Sequence, residues 1–132
     1  LYPLLLLFLL LRKELLMLCS FIFIPAACFL IVTVFRKFLN KQRPYEKFPV
    51  PSLIKKEKKG QSFPSRHVFS IFLIATLWFH FWKPVGIFLF ISGIFLAIVR
   101  VIGGVHFISD VCAGAFLGII AGWLSNYVFL IC

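Results

Sequence analysis

The segment Leu15–Phe35 contains 21 residues without a charge. About 20 apolar residues suffice to cross the hydrocarbon core of a bilayer as an α-helix. Inside lipid the backbone must satisfy its own hydrogen bonds, which a helix does within one segment. The chain of 132 residues is 62% hydrophobic and 14% charged, outside the usual range of soluble domains. We therefore predict an all-α fold, a polytopic membrane helical bundle that forms a single domain over residues 1–132.

Three further apolar segments predict additional spans. They are Val68–Trp82, Val85–Val99 and Phe107–Cys132, with Lys83-Pro84 as the turn between the first two. The two middle segments have 15 residues each. A helix of that length rises only about 22 Å against a core of about 30 Å, so we expect flanking residues to extend both. Leu1–Leu11 is too short to cross alone and is interpreted as the end of a truncated helix, which gives about five spans.

The glycines of the last span are regularly spaced. Gly114, Gly118 and Gly122 fall at every fourth position. Small residues at this spacing let helix backbones approach closely. Tight packing within the bundle is the plain interpretation, and dimerisation is the alternative.

The charge balance limits the partners and cofactors that we expect. The formal net charge is +10. In a bilayer protein, basic residues more often mark loops at anionic lipid surfaces, so we expect membrane lipids and no nucleic acid as partners. The few acidic residues offer no ligand set for a hard cation, so we expect no metal and no cofactor. The cysteines lie in apolar segments without CxxC spacing and are interpreted as packing residues.

Most of the concentrated polar chemistry falls in three short stretches. They are the segment 36–44, the tetrapeptide Pro64-Ser65-Arg66-His67, and the segment 100–110. The first two bracket a basic loop, residues 36–67, whose prolines and glycine argue against one continuous helix. Because two spans separate the second stretch from the third, all three are expected on one face of the membrane.

His106 and Asp110 are four residues apart, so on a helix they would lie on one face, one turn from each other. A carboxylate there can hold an imidazole tautomer and leave the other ring nitrogen free to attack, as in catalytic triads. An Asp near the start of a membrane helix is costly unless it is paired. The alternative is that Asp110 only caps the last span.

His67 follows Pro64-Ser65, which is typical of a helix start with Ser65 near the N-cap. The N–H groups of a helix N-terminus suit a phosphate oxygen. A second histidine can protonate a leaving alkoxide near neutral pH. Taken alone, His67 would be interpreted as an interfacial histidine.

Arg36, Arg43 and Arg100 offer planar donors that bind phosphate oxygens in pairs and neutralise a pentacoordinate transition state. Single arginines at membrane edges are usually topology signals. Three that accompany two histidines favour a phosphate site. Gly103-Gly104 is expected to break the helix after Arg100, which would let Arg100 and His106 converge.

These stretches resemble the motifs of the type-2 phosphatidic acid phosphatase family, which shares its site with vanadium-dependent haloperoxidases. The family pattern is Lys-x6-Arg-Pro, then Pro-Ser-Gly-His, then Ser-Arg-x5-His-x3-Asp, and residues 36–110 reproduce all of its spacings. By resemblance, His106 is the nucleophile that forms a phosphohistidine, Asp110 orients it and His67 is the general acid. The resemblance also implies that four residues bind the phosphate: Arg36, Arg43, Ser65 and Arg100. Family members use no metal cofactor.

The chain departs from this pattern at three positions. Arg36 replaces lysine and keeps the charge, while Val99 replaces serine and loses a hydrogen-bonding group. Arg66 replaces glycine and adds bulk where the backbone approaches phosphate, so its side chain either points outward or adds another phosphate contact. None of the three changes removes a group that makes or breaks bonds.

The leading interpretation is an integral membrane lipid phosphate phosphatase that hydrolyses a phosphate monoester or a diphosphate of a lipid. Phosphatidate, phosphatidylglycerol phosphate and undecaprenyl diphosphate all remain open as substrates. The alternative is a non-catalytic lipid-phosphate-binding membrane scaffold, which the retention of both histidines disfavours.

The expected location is a bacterial plasma membrane, and two arguments about the face of the site oppose each other. Outside the four motif arginines, seven basic residues lie on the side of the site and three on the other. The positive-inside rule then places the site in the cytoplasm. Many bacterial relatives act on the outer face, so the face stays open, as does the oligomeric state.

Overall fold

The computed structural model describes residues 2–39, 63–104 and 106–131 of the chain. Within these ranges all regular secondary structure is helical. The helices are α1 (Tyr2–Leu11), α2 (Leu15–Leu39), α3 (Arg66–Phe81), α4 (Lys83–Ile102) and α5 (Ile108–Ile131). The prediction of an all-α bundle is confirmed.

Three of the described helices are long and apolar enough to cross a membrane. They are α2, α4 and α5, the last over Ile108–Val128. α1 and α3 are shorter apolar helices of 10 and 16 residues. Large apolar side chains such as Phe23, Phe88 and Trp123 point outward from the long helices. An apolar surface of this extent belongs in lipid, so the chain is an integral membrane protein.

α3 is the central helix and packs against both α4 and α5. Its buried side chains Phe69, Leu73 and Leu77 join residues of α1, α2 and α5 in one apolar cluster. A second cluster around Val68 and Phe72 joins α3 to α4 and α5. Because α3 contacts its neighbours on all these sides, its N-terminal end is held at a fixed place in the bundle.

The glycines of α5 form its contact with α3. A Cβ atom at Gly118 would lie 2.4 Å from the carbonyl oxygen of Phe69, and one at Gly122 would lie 2.6 Å from the Cβ atom of Thr76. Neither separation leaves room for the added carbon, so the two helices approach this closely only because these positions are glycine. The prediction that the glycine spacing serves packing within the bundle is confirmed.

The turn between α3 and α4 is the single residue Trp82, not Lys83-Pro84 as the sequence suggested. Lys83 begins α4 and Pro84 occupies its first turn, where the missing N–H has no intrahelical partner to lose. As expected, flanking residues extend both middle spans, since α4 begins at Lys83 and ends at Ile102, and α3 begins at Arg66.

The predicted loop over residues 36–67 is shorter at both ends. The first four of these residues continue α2 to Leu39, and Arg66 and His67 already belong to α3. Arg43 and the rest of the basic segment between 40 and 62 lie outside the described residues.

Gly118→Val is expected to destabilise the bundle, because the new side chain would meet the backbone of α3. Overpacking of this kind costs about 1–3 kcal/mol of unfolding free energy. The matched control is Cys112→Val, at an exposed position of the same helix. Unfolding by SDS in mixed micelles measures both variants, and equal stabilities would contradict the close contact between α3 and α5.

Candidate phosphate-binding site

Four helix ends meet on one side of the bundle. The C-terminal ends of α2 and α4 carry Arg36 and Arg100, and the N-terminal ends of α3 and α5 carry Ser65 and Asp110. These four residues are buried, as is His106 in the link between α4 and α5. The polar stretches thus meet on one side, as their order along the chain predicts.

Asp110 contacts the turn before it in two ways. Its Oδ2 atom accepts a hydrogen bond from the backbone N–H of Phe107 at 2.7 Å. The same oxygen lies 3.7 Å from Nδ1 of His106, an ion-pair distance rather than a direct hydrogen bond. The first contact caps α5, since Asp110 is its third residue and Phe107 directly precedes it. Capping and the approach to His106 are therefore not alternatives, because one oxygen serves both.

His106 lies outside the helix, and the expectation that it shares a helix face with Asp110 is wrong. α5 begins only at Ile108, and the backbone N–H of His106 donates to the carbonyl oxygen of Arg100 at 3.3 Å. Gly104 has a φ of 73°, a conformation that residues with a Cβ rarely adopt. The predicted helix break at Gly103-Gly104 is present, and it folds His106 back onto Arg100.

The guanidinium group of Arg100 faces the other ring nitrogen of His106. Nη2 of Arg100 lies 3.4 Å from Nε2 of His106. Because a guanidinium has only donors, a hydrogen bond in this contact requires the lone pair of Nε2 and therefore the tautomer with the ring proton on Nδ1. In that tautomer the imidazole presents a lone pair to the arginine and directs an N–H towards the carboxylate of Asp110.

Arg36 connects the first polar stretch to the second, and Ser65 connects the second to the third. Nη1 of Arg36 donates a hydrogen bond to the carbonyl oxygen of Pro64. The backbone N–H of Ser65 donates to the carbonyl oxygen of Asp110 at 3.1 Å. Ser65 occupies the N-cap of α3, as predicted, but its hydroxyl makes no capping hydrogen bond. That hydroxyl is buried and has no partner among the described residues, so it can serve a ligand.

Gly114, which the glycine spacing assigned only to helix packing, also positions the site. A Cβ atom there would lie 2.6 Å from the carbonyl oxygen of Ser65. The missing side chain therefore lets the start of α3 approach α5 closely enough for the hydrogen bond between Ser65 and Asp110. Its position one turn after Asp110 is the sequence signal that could have revealed this role.

Arg66 and His67 lie in the first turn of α3, beside the buried group. His67 is exposed and Arg66 is half-buried. Both line a cleft of about 570 Å³ whose other walls are mainly apolar side chains of α2, α3 and α4. The Cζ atom of Arg66 lies 6.0 Å from the ring centre of Phe29 on α2. The side chains of Arg36, Ser65, Arg100, His106 and Asp110 are thus brought together, whereas these two line the adjoining cleft.

The chemistry of the buried group suits an anion. Within the described residues, no three His, Cys, Asp or Glu side chains come together as they would at a metal centre. The group instead presents two guanidinium groups, one imidazole and one carboxylate. Guanidinium groups bind the oxygens of a phosphate in pairs. The fold and this group therefore define a helical membrane protein whose buried polar residues fit a phosphate.

Comparison with known proteins supports this description and extends it. Residues 15–131 match the model of the PAP2 superfamily, so the chain belongs to that superfamily. The family resemblance inferred from the motif spacing is confirmed. The bacitracin transport permease protein BcrC of Bacillus licheniformis is 32% identical over 82 residues, which cover 62% of this chain and 40% of that protein. The match thus spans less than half the length of that relative. No solved structure gives a significant match to the chain.

Asp110→Ala is expected to lower the free energy of unfolding by about 0.5–2 kcal/mol, because it removes the acceptor that caps α5. Asp110→Asn keeps an oxygen for the Phe107 N–H and is expected to lose less. Thermal unfolding in detergent compares the two variants. Equal losses would show that the negative charge, rather than the cap, supports the start of the helix.

Proposed function

We propose that the chain is a metal-independent membrane phosphatase that hydrolyses a phosphate monoester or a diphosphate of a lipid through a phosphohistidine. The observation that carries the proposal is the position of the His106 ring, whose Nε2 lies 3.4 Å from Nη2 of Arg100 and whose Nδ1 lies 3.7 Å from Oδ2 of Asp110. A nucleophilic imidazole needs a lone pair where the substrate binds and a carboxylate behind it. Membership of the PAP2 superfamily supports the same class of reaction.

The reacting phosphate is proposed to lie between Arg100, Arg36 and the hydroxyl of Ser65. A phosphate oxygen bound by the Arg100 guanidinium would hold the phosphorus atom close to Nε2 of His106, since that guanidinium already contacts the nitrogen. The buried hydroxyl of Ser65 adds a donor. These groups would stabilise the charge on the equatorial oxygens in the transition state. Arg43 is proposed as a further phosphate ligand on the family resemblance.

The reaction then runs in two steps. Nε2 of His106 attacks phosphorus, the bond to the leaving oxygen breaks, and His67 donates a proton to that oxygen. Asp110 stabilises the positive charge on the phosphorylated ring. In the second step His67 accepts a proton from water, the water oxygen attacks phosphorus, and the N–P bond breaks to release inorganic phosphate. No step requires a metal ion.

A lipid substrate fits the surroundings of the site. The buried group lies at the ends of membrane-spanning helices. The cleft beside it continues from Arg66 and His67 along the apolar side chains of Phe29, Ile74 and Leu96. A phosphate attached to a hydrocarbon chain can place its head in the buried group and its chain in this cleft. A bacterial plasma membrane is the proposed location, and the bacterial origin of BcrC supports it.

His106→Ala is expected to lower phosphate release about 10³-fold or more, because it removes the nucleophile. The matched control is His80→Ala, which removes a histidine from the opposite end of α3. The measurement is phosphate release by the full-length protein in detergent, from phosphatidate and from undecaprenyl diphosphate, with excess EDTA.

Loss of wild-type release on adding EDTA would contradict the metal-independent route. Equal activity of His106→Ala and wild type would contradict the phosphohistidine. No release from any lipid phosphate by the folded wild type would favour the non-catalytic lipid-phosphate-binding scaffold instead.

His67→Ala is expected to slow alkyl phosphates by about 10²-fold or more and aryl phosphates far less, since an aryl oxide leaves without a proton. The ratio of kcat/KM for the two substrates, compared with that of wild type, gives the result. An equal loss with both substrates would contradict the general-acid role of His67.

A further inference from the structure

A second apolar cavity adjoins the cleft that Arg66 and His67 line. It has a volume of about 430 Å³, and its walls come from α1, α2 and α3. The cleft and the cavity share three lining residues, which are Phe29 of α2 and Ser70 and Ile74 of α3. Because the two spaces have these walls in common, the cavity continues the cleft and is not an independent site.

The ring of Phe29 stands at the junction of the two spaces. On the side of the cleft, the Cζ atom of Arg66 lies 6.0 Å from the centre of this ring. On the side of the cavity, the ring centre of Phe69 lies 6.3 Å from it. A chain that passes from the cleft into the cavity therefore runs along the ring of Phe29.

The cavity extends farther from the buried polar group than the cleft does. Arg36 marks the end of α2 at which that group lies, and residues earlier in α2 lead away from it. Phe29 precedes Arg36 by a helix rise of about 10 Å, and Ile22, which lines only the cavity, precedes it by about 21 Å. These depths fall within the hydrocarbon core of a bilayer, which is about 30 Å thick.

The walls of the cavity suit a hydrocarbon. Of the described residues that line it, none is charged, and Tyr2 and Ser70 carry the polar side chains. The hydroxyl of Tyr2 is already engaged in a hydrogen bond. Pro25 has no N–H to donate to the carbonyl oxygen of Phe21, one turn before it, and the Tyr2 hydroxyl donates to that oxygen. The cavity therefore binds its occupant mainly through apolar contacts.

We propose that the cavity binds the distal part of the substrate's hydrocarbon chain, so that the site favours lipid phosphates whose chains are long enough to pass Phe29. This inference rests on the proposed function, in which His67 protonates the leaving oxygen and the chain attached to that oxygen begins in the cleft. A short chain ends within the cleft and gains nothing from the cavity. A longer chain places its end against the apolar side chains beyond Phe29.

The test fills the cavity without changing the cleft. Ala26 lines the cavity but not the cleft, and its side chain is exposed on α2, so the indole of Ala26→Trp can occupy the cavity from its open side. Geranyl phosphate and geranylgeranyl phosphate share a headgroup and differ in chain length. We expect kcat/KM for the longer substrate to fall about 10-fold or more, and that for the shorter one to stay within about threefold of wild type.

The matched control is Ala27→Trp, which introduces the same side chain at the next position of α2. Ala27 is also exposed, and it lines neither the cleft nor the cavity. This variant is expected to keep the wild-type ratio of kcat/KM for the two substrates. Thermal unfolding of both variants in detergent checks that the bundle is intact.

A second measurement locates the chain directly and needs no turnover. Geranylgeranyl phosphonate with a diazirine at the end of its chain is bound to the wild type and irradiated, since its P–C bond resists hydrolysis. Mass spectrometry is expected to find the label on α1 near Leu6 or on α2 near Pro25, which both line the cavity. Ala26→Trp is expected to lose this label, and Ala27→Trp is expected to keep it.

The outcomes separate this inference from the proposed function. Label confined to cleft residues such as Leu89 and Leu96 overturns the inference alone, because the chain then ends in the cleft. An active protein in which Ala26→Trp changes both substrates equally, or neither, also overturns the inference alone. A protein that is labelled in the cavity but releases phosphate from no lipid phosphate overturns the proposed function, since the chain then belongs to a ligand that is bound and not cleaved.

Discussion

The close approach of α3 to α5 brings the second polar stretch against the third. Gly114 lets the carbonyl group of Ser65 come against α5, and the backbone N–H of Ser65 then reaches the carbonyl oxygen of Asp110. Pro64 is fixed by the same contact, so its carbonyl group is in place to accept from Arg36. Because the contact between Ser65 and Asp110 runs through the backbone, it holds two helix starts together without using the side chain of either residue.

The charges of the buried group favour an anionic ligand. Arg36 and Arg100 bring two positive charges and Asp110 one negative charge. A net positive charge is costly among apolar helices unless it is neutralised. A phosphate supplies negative charge and accepts several of the donors at once. The same excess charge that makes the group costly without a ligand would therefore stabilise its complex with a phosphate.

Much of the fold was predictable because its main helices and their packing follow from long uncharged runs and regularly spaced glycines. The uncharged run Leu15–Phe35 can only be a spanning helix, and the glycines after Asp110 can only serve close packing once α3 is the neighbour. The meeting of the polar stretches followed from counting the spans between them. These inferences depend on hydrophobicity and chain order, which the sequence states directly.

Other features depend on local backbone geometry that hydrophobicity does not encode. The helix periodicity placed His106 on α5, but the turn after Gly104 keeps it one residue before the N-cap, Phe107. Trp82, rather than Lys83-Pro84, became the turn because Pro84 suits the first turn of a helix. The side chains of Arg66 and His67 line the cleft, and the sequence left open whether Arg66 points outward or towards the phosphate. Which way a side chain points at a helix start is set by packing against α2 and α4, which are distant in sequence.

The length of α3 adds a constraint on where the reaction occurs. Its 16 residues rise about 24 Å, some 6 Å less than the hydrocarbon core of a bilayer. Trp78 and Trp82 at its C-terminal end are typical of a membrane interface, which fixes that end at one surface. The N-terminal end with Ser65 then stops short of the opposite surface, and any tilt of the helix increases the shortfall. The buried group would lie slightly below the headgroups, where a phosphate on a lipid arrives with its chain already in the bilayer.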